Sequence, residues 1–87
     1  MVDKRNAELA KEFGRLLRLR RIEMDLTLEG LSELVKISPD HLGKLERGGS
    51  TPSLDTMMKL KVGMNISIDR LLNDVYKVYN PFEGDIK

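Results

Sequence analysis

Apolar residues recur in helical register along most of the chain. Between about Asn6 and Glu23 the set Ala10, Phe13 and Leu17, extended by Met24 and flanked by Leu9 and Leu16, marks one face of a first helix. After Ser67, the residues Ile68, Leu71, Leu72, Val75, Val78 and Tyr79 keep the same period until Asn80-Pro81 stops it. Alternating apolar and polar runs and hairpin turn pairs are absent, so no sheet is expected.

A second signal marks where helices begin. Thr27-Leu28-Glu29, Ser38-Pro39-Asp40, Ser53-Leu54-Asp55 and Ser67-Ile68-Asp69 each read hydroxyl, spacer, carboxylate. The hydroxyl accepts a backbone N–H of the first turn, and the acid lies near the positive end of the helix dipole. With the first helix this predicts five, over about 6–24, 28–35, 39–47, 54–62 and 68–79. The expected fold class is all-α.

The second and third helices are separated only by Lys36-Ile37-Ser38. So tight a connection sets two short helices at a steep angle, the helix-turn-helix arrangement in which the second can enter a DNA major groove while the first braces it. That second helix lies in "SPDHLGKLERGG", with Ser38 as cap, Pro39 at the first helical position and Gly48-Gly49 suited to a left-handed exit. Leu42 and Leu45 form its inward face, and Pro39, Asp40, His41, Gly43, Lys44 and Arg47 are expected to face outward.

Length and composition bound the reading. Eighty-seven residues are expected to make a single domain, 1–87, with one modest core and without a separate ligand-sensing domain. There is no cysteine, so neither a disulfide scaffold nor a thiolate metal site is expected. The apolar runs fall well short of the ~20 residues of a membrane span, and no signal peptide is apparent, so a soluble, cytoplasmic protein is expected. Fifteen Lys and Arg against fourteen Asp and Glu leave a formal charge of +1, which does not by itself announce a nucleic-acid partner. The local run "RLLRLRR" is basic, with Arg15, Arg18, Arg20 and Arg21, and a solvated helix face explains it as well as DNA does.

From Gly14 to Leu72, with no inserted or missing residue, the chain resembles the XRE family of helix-turn-helix regulators, which includes the lambdoid phage repressors and Cro. The matching stretches are "LLRLRRIEMDLT", "LEGLSELVKIS", "HLGKLERG", "TPSLDTMMKL" and "NISIDRLL". The resemblance implies a five-helix lambda-repressor-like domain; its core is expected over 6–73, and the residues beyond Leu72, which the resemblance does not cover, are expected to form a helical extension and tail over 74–87. Its implied function is that of a double-stranded-DNA-binding transcription regulator, most simply a repressor. It also implies that Arg21 on the first helix and Glu46 at the end of the third form a partly buried ion pair. Independently, Glu46 follows the inward Leu45 and should lie at the core margin, where a charge needs a partner.

Carried onto this chain, the family's base-reading positions are Pro39, Asp40, Gly43 and Lys44, with His41 near the DNA backbone. Lys44 can donate to guanine O6 and N7, Asp40 can accept from cytosine N4, and Pro39 can touch a thymine methyl. Plainer roles stand beside these: Asp40 also fits the repeated acid-after-cap pattern, His41 suits a simple surface residue, and Lys44 suits a phosphate. Backbone contacts are expected from Thr27, Leu28, His41, Arg47, Ser50 and Thr51, mostly around helix starts whose N–H groups meet phosphate oxygens.

The sequence departs from the family at several points. Leu28 stands where the family has a phosphate-binding glutamine, which suggests an apolar contact with Pro39 in place of a polar one. Lys36 replaces a turn glycine, Ser32 replaces an alanine, Lys61 replaces a small buried residue, and Val62 occupies a usually polar place. A local shift or rotation of the fourth helix is expected, with Lys61 reaching solvent.

Leu16 and Leu19 lack an evident place in the family core, and Tyr76, Tyr79 and Phe82 are three of the four aromatic residues. Either the tail folds back on the first helix or these groups form a dimer contact. A homodimer is expected, because two reading helices about 34 Å apart address successive major-groove faces of a palindrome.

No catalytic constellation emerges. There is no glycine-rich phosphate loop, no cysteine nucleophile and only one histidine, and Ser38, Asp40 and His41 are neighbours on a helix start rather than a relay in a pocket. Neither enzymatic activity, cofactor nor metal is expected. The competing class is a helix-turn-helix domain used as a protein-interaction module, such as an antitoxin-like partner, which the near-neutral charge, Leu28, Asp40 and Gly43 favour.

Overall fold

The computed structural model describes residues 4–78, with side chains described over 7–77. Five helices follow one another: α1 (Lys4–Glu23), α2 (Leu28–Val35), α3 (Pro39–Glu46), α4 (Leu54–Met64) and α5 (Ile68–Val78). No strand occurs among the described residues, and no helix there is long and apolar enough to cross a membrane.

All four expected caps form. Thr27 Oγ1 accepts from Gly30 N at 2.9 Å, Ser38 Oγ from His41 N at 3.2 Å, Ser53 Oγ from Thr56 N at 3.1 Å and Ser67 Oγ from Arg70 N at 3.1 Å. Each satisfies an N–H that the helix itself leaves without a partner. Helix ends depend on backbone conformation. Lys36 closes α2 in the left-handed region at φ 60 and ψ 41, and Gly48 follows α3 at φ 77. Helix α4 runs to Met64, two residues past the expected stop, because buried Met64 still packs in the core and Asn65 supplies the left-handed cap at φ 53.

The core joins all five helices. Phe13, Leu16 and Leu17 of α1 meet Leu31 and Val35 of α2, Leu42 and Leu45 of α3, Leu60 and Met64 of α4, and Leu71 and Val75 of α5. Helix α1 packs on α3 and α5, while α2 packs on α3 and α4. Gly14 permits the first of these contacts: a Cβ there would overlap the carbonyl oxygen of Leu45 and come within 2.7 Å of that of Glu46.

Leu16, which had no evident place in the family core, is buried on the same inward arc as Phe13 and Leu17, in a cluster that includes Val75 of α5, and so is not available for a dimer contact. One expectation about α1 is corrected. Met24 falls outside the helix and is partly exposed, since α1 ends at Glu23 and the following turn, with Asp25 left-handed at φ 61, redirects the chain. The fourth helix keeps Lys61 and Val62 on its solvent side, so no buried lysine has to be accommodated.

Candidate nucleic-acid interface

The pivot of the domain is α3. Leu42 and Leu45 are fully buried, while Pro39, Asp40, His41, Lys44 and Arg47 are exposed. None of those five side chains makes an ion pair or hydrogen bond to another group among the described residues. A helix held by its inner face thus presents an acid and two strong donor groups with their hydrogen-bonding capacity uncommitted.

Gly43 corrects the expected outward set. It is buried, not presented, because Leu28 of α2 and the Arg47 side chain cover it: a Cβ at Gly43 would lie 3.5 Å from Leu28 Cδ2 and 2.9 Å from an Arg47 guanidinium nitrogen. Leu28 is half-buried and packs against the core. Its side chain borders Gly43 across the helix pair.

The Arg21–Glu46 pair fixes the far end of α3. Arg21 Nε donates to Glu46 Oε2 at 2.7 Å and Arg21 NH2 to Glu46 Oε1 at 3.0 Å, while Arg21 NH1 donates to the Leu26 carbonyl at 2.8 Å. With side chains only 14% and 6% exposed, the pair is shielded from solvent. The hydrogen bonds it donates to Glu46 hold the Arg21 guanidinium pKa above its ordinary value, against the opposing effect of burial. One side chain thus ties the end of α3 and the turn that launches α2 to the same point on α1.

Of the expected backbone-contacting residues, Thr27 and Thr51 are exposed with His41 and Arg47, whereas Ser50 and Leu28 are half-buried. Thr27 and Ser38 use their oxygens as cap acceptors, which leaves their hydroxyl protons available to an external acceptor. Leu19 is 39% and Tyr76 53% exposed; Tyr79 and Phe82 lie outside the described residues.

Two features escaped sequence reading. Arg20 pairs with Asp74 at 2.5 Å, tying α1 to α5 over 54 positions, and this arginine bond lowers the Asp74 pKa. Leu54, Met58 and Val62 form an exposed stripe at four-residue spacing on α4, with exposed Leu34 of α2 beside it. The stripe was legible as a helical i, i+4, i+8 series, but only the packing shows which side of α4 faces water.

Residues 17–71 match the helix-turn-helix family. No curated protein matches the chain significantly. Among solved structures, a crystal structure of the clp gene regulator ClgR from Corynebacterium glutamicum is similar at 27% identity and a TM-score of 0.74, covering 80% of this chain and 91% of that one. A second crystal structure of the same regulator gives the same identity and TM-score, over 74% of its chain. The matched segment begins at Leu17, takes in the Arg21–Glu46 lock and the whole α2–α3 unit, and ends at Leu71 in the core; the chain belongs to the XRE-type helix-turn-helix family of DNA-binding regulators.

Proposed function

We propose that this protein is a sequence-specific transcriptional regulator, most simply a repressor, that binds a palindromic operator as a homodimer with α3 in the major groove. The observation that carries this reading is α3 itself: locked at its end by Arg21–Glu46, it exposes Asp40, Lys44 and Arg47 with their side chains uncommitted among the described residues. Pro39, Asp40 and Lys44 are the base-reading candidates, while Thr27, Leu28, His41, Ser50 and Thr51 lie at or near helix starts suited to phosphates. The solved relative is named as a gene regulator, which supports the same role here. Such a regulator works where DNA is accessible, in the cytoplasm, and Leu19 and Tyr76 offer apolar surface for a dimer contact.

Occupying a promoter is the simplest mode of action. Several phosphate contacts release condensed counterions, so affinity should fall steeply with salt, and base contacts should add a preference that survives at higher salt. Selecting bound duplexes from a randomised library tests the reading: a two-fold symmetric consensus supports it, and no enrichment contradicts it.

One observation favours a second role. The exposed stripe Leu54, Met58 and Val62, with Leu34 beside it, is an apolar surface on a different pair of helices from α3. A protein-interaction module with weak or no DNA binding would use such a face, and the same library experiment separates the two roles.

A further inference from the structure

The cover over Gly43 assigns a sharper role to Arg47. Arg47 caps α3 with helical backbone angles, φ −85 and ψ −2, so its side chain leans toward the helix N-terminus as in a regular turn. That lean carries the guanidinium back over Gly43. A Cβ at position 43 would come 2.9 Å from one guanidinium nitrogen of Arg47 and 3.7 Å from its central carbon. Leu28 Cδ2 borders the same spot, 3.5 Å from that Cβ. A planar cation therefore rests on bare backbone beside an apolar methyl, a turn nearer the front of α3 than its own Cα.

Arg47 is exposed, and its side chain, like those of Arg18 and Arg70, makes no hydrogen bond or ion pair among the described residues; what sets it apart is its place over Gly43 on α3. Its donors are thus uncommitted and stand on the helix face that also carries Asp40 and Lys44. The absence of a side chain at position 43 leaves room for the guanidinium to lie along α3 beside the Leu28 methyl.

We infer that Arg47 is a specificity-determining residue that donates two parallel hydrogen bonds to O6 and N7 of a guanine, with Gly43 as the seat that lets it reach the groove floor. This rests on the reading of α3 as the major-groove helix, and it replaces the DNA-backbone contact expected for Arg47 from the sequence. Arginine on guanine is the commonest specific major-groove contact, and its geometry requires the planar fork rather than a point charge. Gly43 and Arg47 act as one unit: any side chain at 43 displaces the guanidinium from its seat.

The test is duplex selection from a randomised library with the full chain, repeated for Arg47→Ala, Arg47→Lys and Gly43→Ala. The wild type should enrich a motif with a guanine at one fixed position. Arg47→Ala and Arg47→Lys should each reduce the preference at that position about tenfold or more and leave the other positions as they were. Gly43→Ala, which meets only the mobile end of Arg47 and a methyl at van der Waals distance, should fold with unchanged or higher melting temperature and weaken the same position alone. A uniform loss of affinity across all sequences in Arg47→Ala, with the salt slope reduced by about one, overturns the assignment and makes Arg47 a phosphate anchor. No enrichment by the wild type removes the major-groove role of α3 and this assignment with it; enrichment of a motif whose positions all survive Arg47→Ala removes the assignment alone.

Discussion

Arg21 and Glu46, twenty-five positions apart, meet through two hydrogen bonds of 2.7 and 3.0 Å at the margin of the core. The third donor from Arg21, to the Leu26 carbonyl, draws the α1–α2 turn into the same junction. Breaking one partner would leave the other charge shielded and unpaired, at a cost of ~3–5 kcal/mol. Arg21→Ala should therefore lower the melting temperature strongly, while Arg18→Ala, at an exposed position on the same helix, should stay within about 0.5 kcal/mol of the wild type. Equal melting temperatures for the two variants would show that the pair does not hold the fold.

The Arg20–Asp74 bridge predicts a dependence on acid. Its hydrogen bond from Arg20 lowers the Asp74 pKa in the folded chain, so folding favours the ionised carboxylate. The stability this gives is present above the unfolded carboxylate pKa of about 4 and is lost as pH falls through the lower folded value. Asp74→Asn should accordingly melt below the wild type at pH 7, and the gap should close in strong acid. A gap that stayed constant down the whole pH range would mean that the bridge contributes through packing, not charge.

Gly14 is where α1 approaches the backbone of α3. A single methyl there collides with two carbonyl oxygens, neither of which can swing aside as a side chain could. Gly14→Ala should destabilise by ~2–3 kcal/mol despite the better helix propensity of alanine, measured by chemical denaturation. A neutral or stabilising effect would mean that the two helices do not approach so closely at Gly14.

Lys36 sits at φ 60 and ψ 41, a conformation that costs a residue with a Cβ roughly 1–2 kcal/mol. Its side chain is exposed, so replacing it removes no buried contact. Lys36→Gly should raise stability by about 0.5–1 kcal/mol, the strain relief being partly offset by the greater chain entropy of unfolded glycine. A lower melting temperature would mean that the lysine stem has a packing role that outweighs the strain.

Local chemistry explains why so much of this fold can be read from the sequence. Thr27, Ser38, Ser53 and Ser67 announce helix starts because a cap needs only its own side chain and an N–H three residues on. Leu42 and Leu45 announce the inner face of α3 by period alone. Other features depend on partners that sequence spacing does not bring together. Gly43 reads as an outward position until Leu28 and Arg47 are seen to close over it. The burial of Leu16 depends on where α1 meets the rest of the core, and the Arg20–Asp74 bridge depends on the crossing of α1 and α5. The left-handed Asp25 carries no glycine to advertise it, although aspartate tolerates that conformation better than most residues.

The claim that α3 reads DNA is tested most directly by titrating the wild type and Lys44→Ala against the duplex that the wild type selects, each at two salt concentrations. Lys44 is exposed on α3 and makes no ion pair among the described residues, so its loss should leave the fold intact. Wild-type affinity should fall steeply with salt, and Lys44→Ala should lose about a further tenfold on the selected duplex. Wild-type affinity for the selected duplex no greater than for an unrelated one, with Lys44→Ala binding both equally well, would contradict that claim.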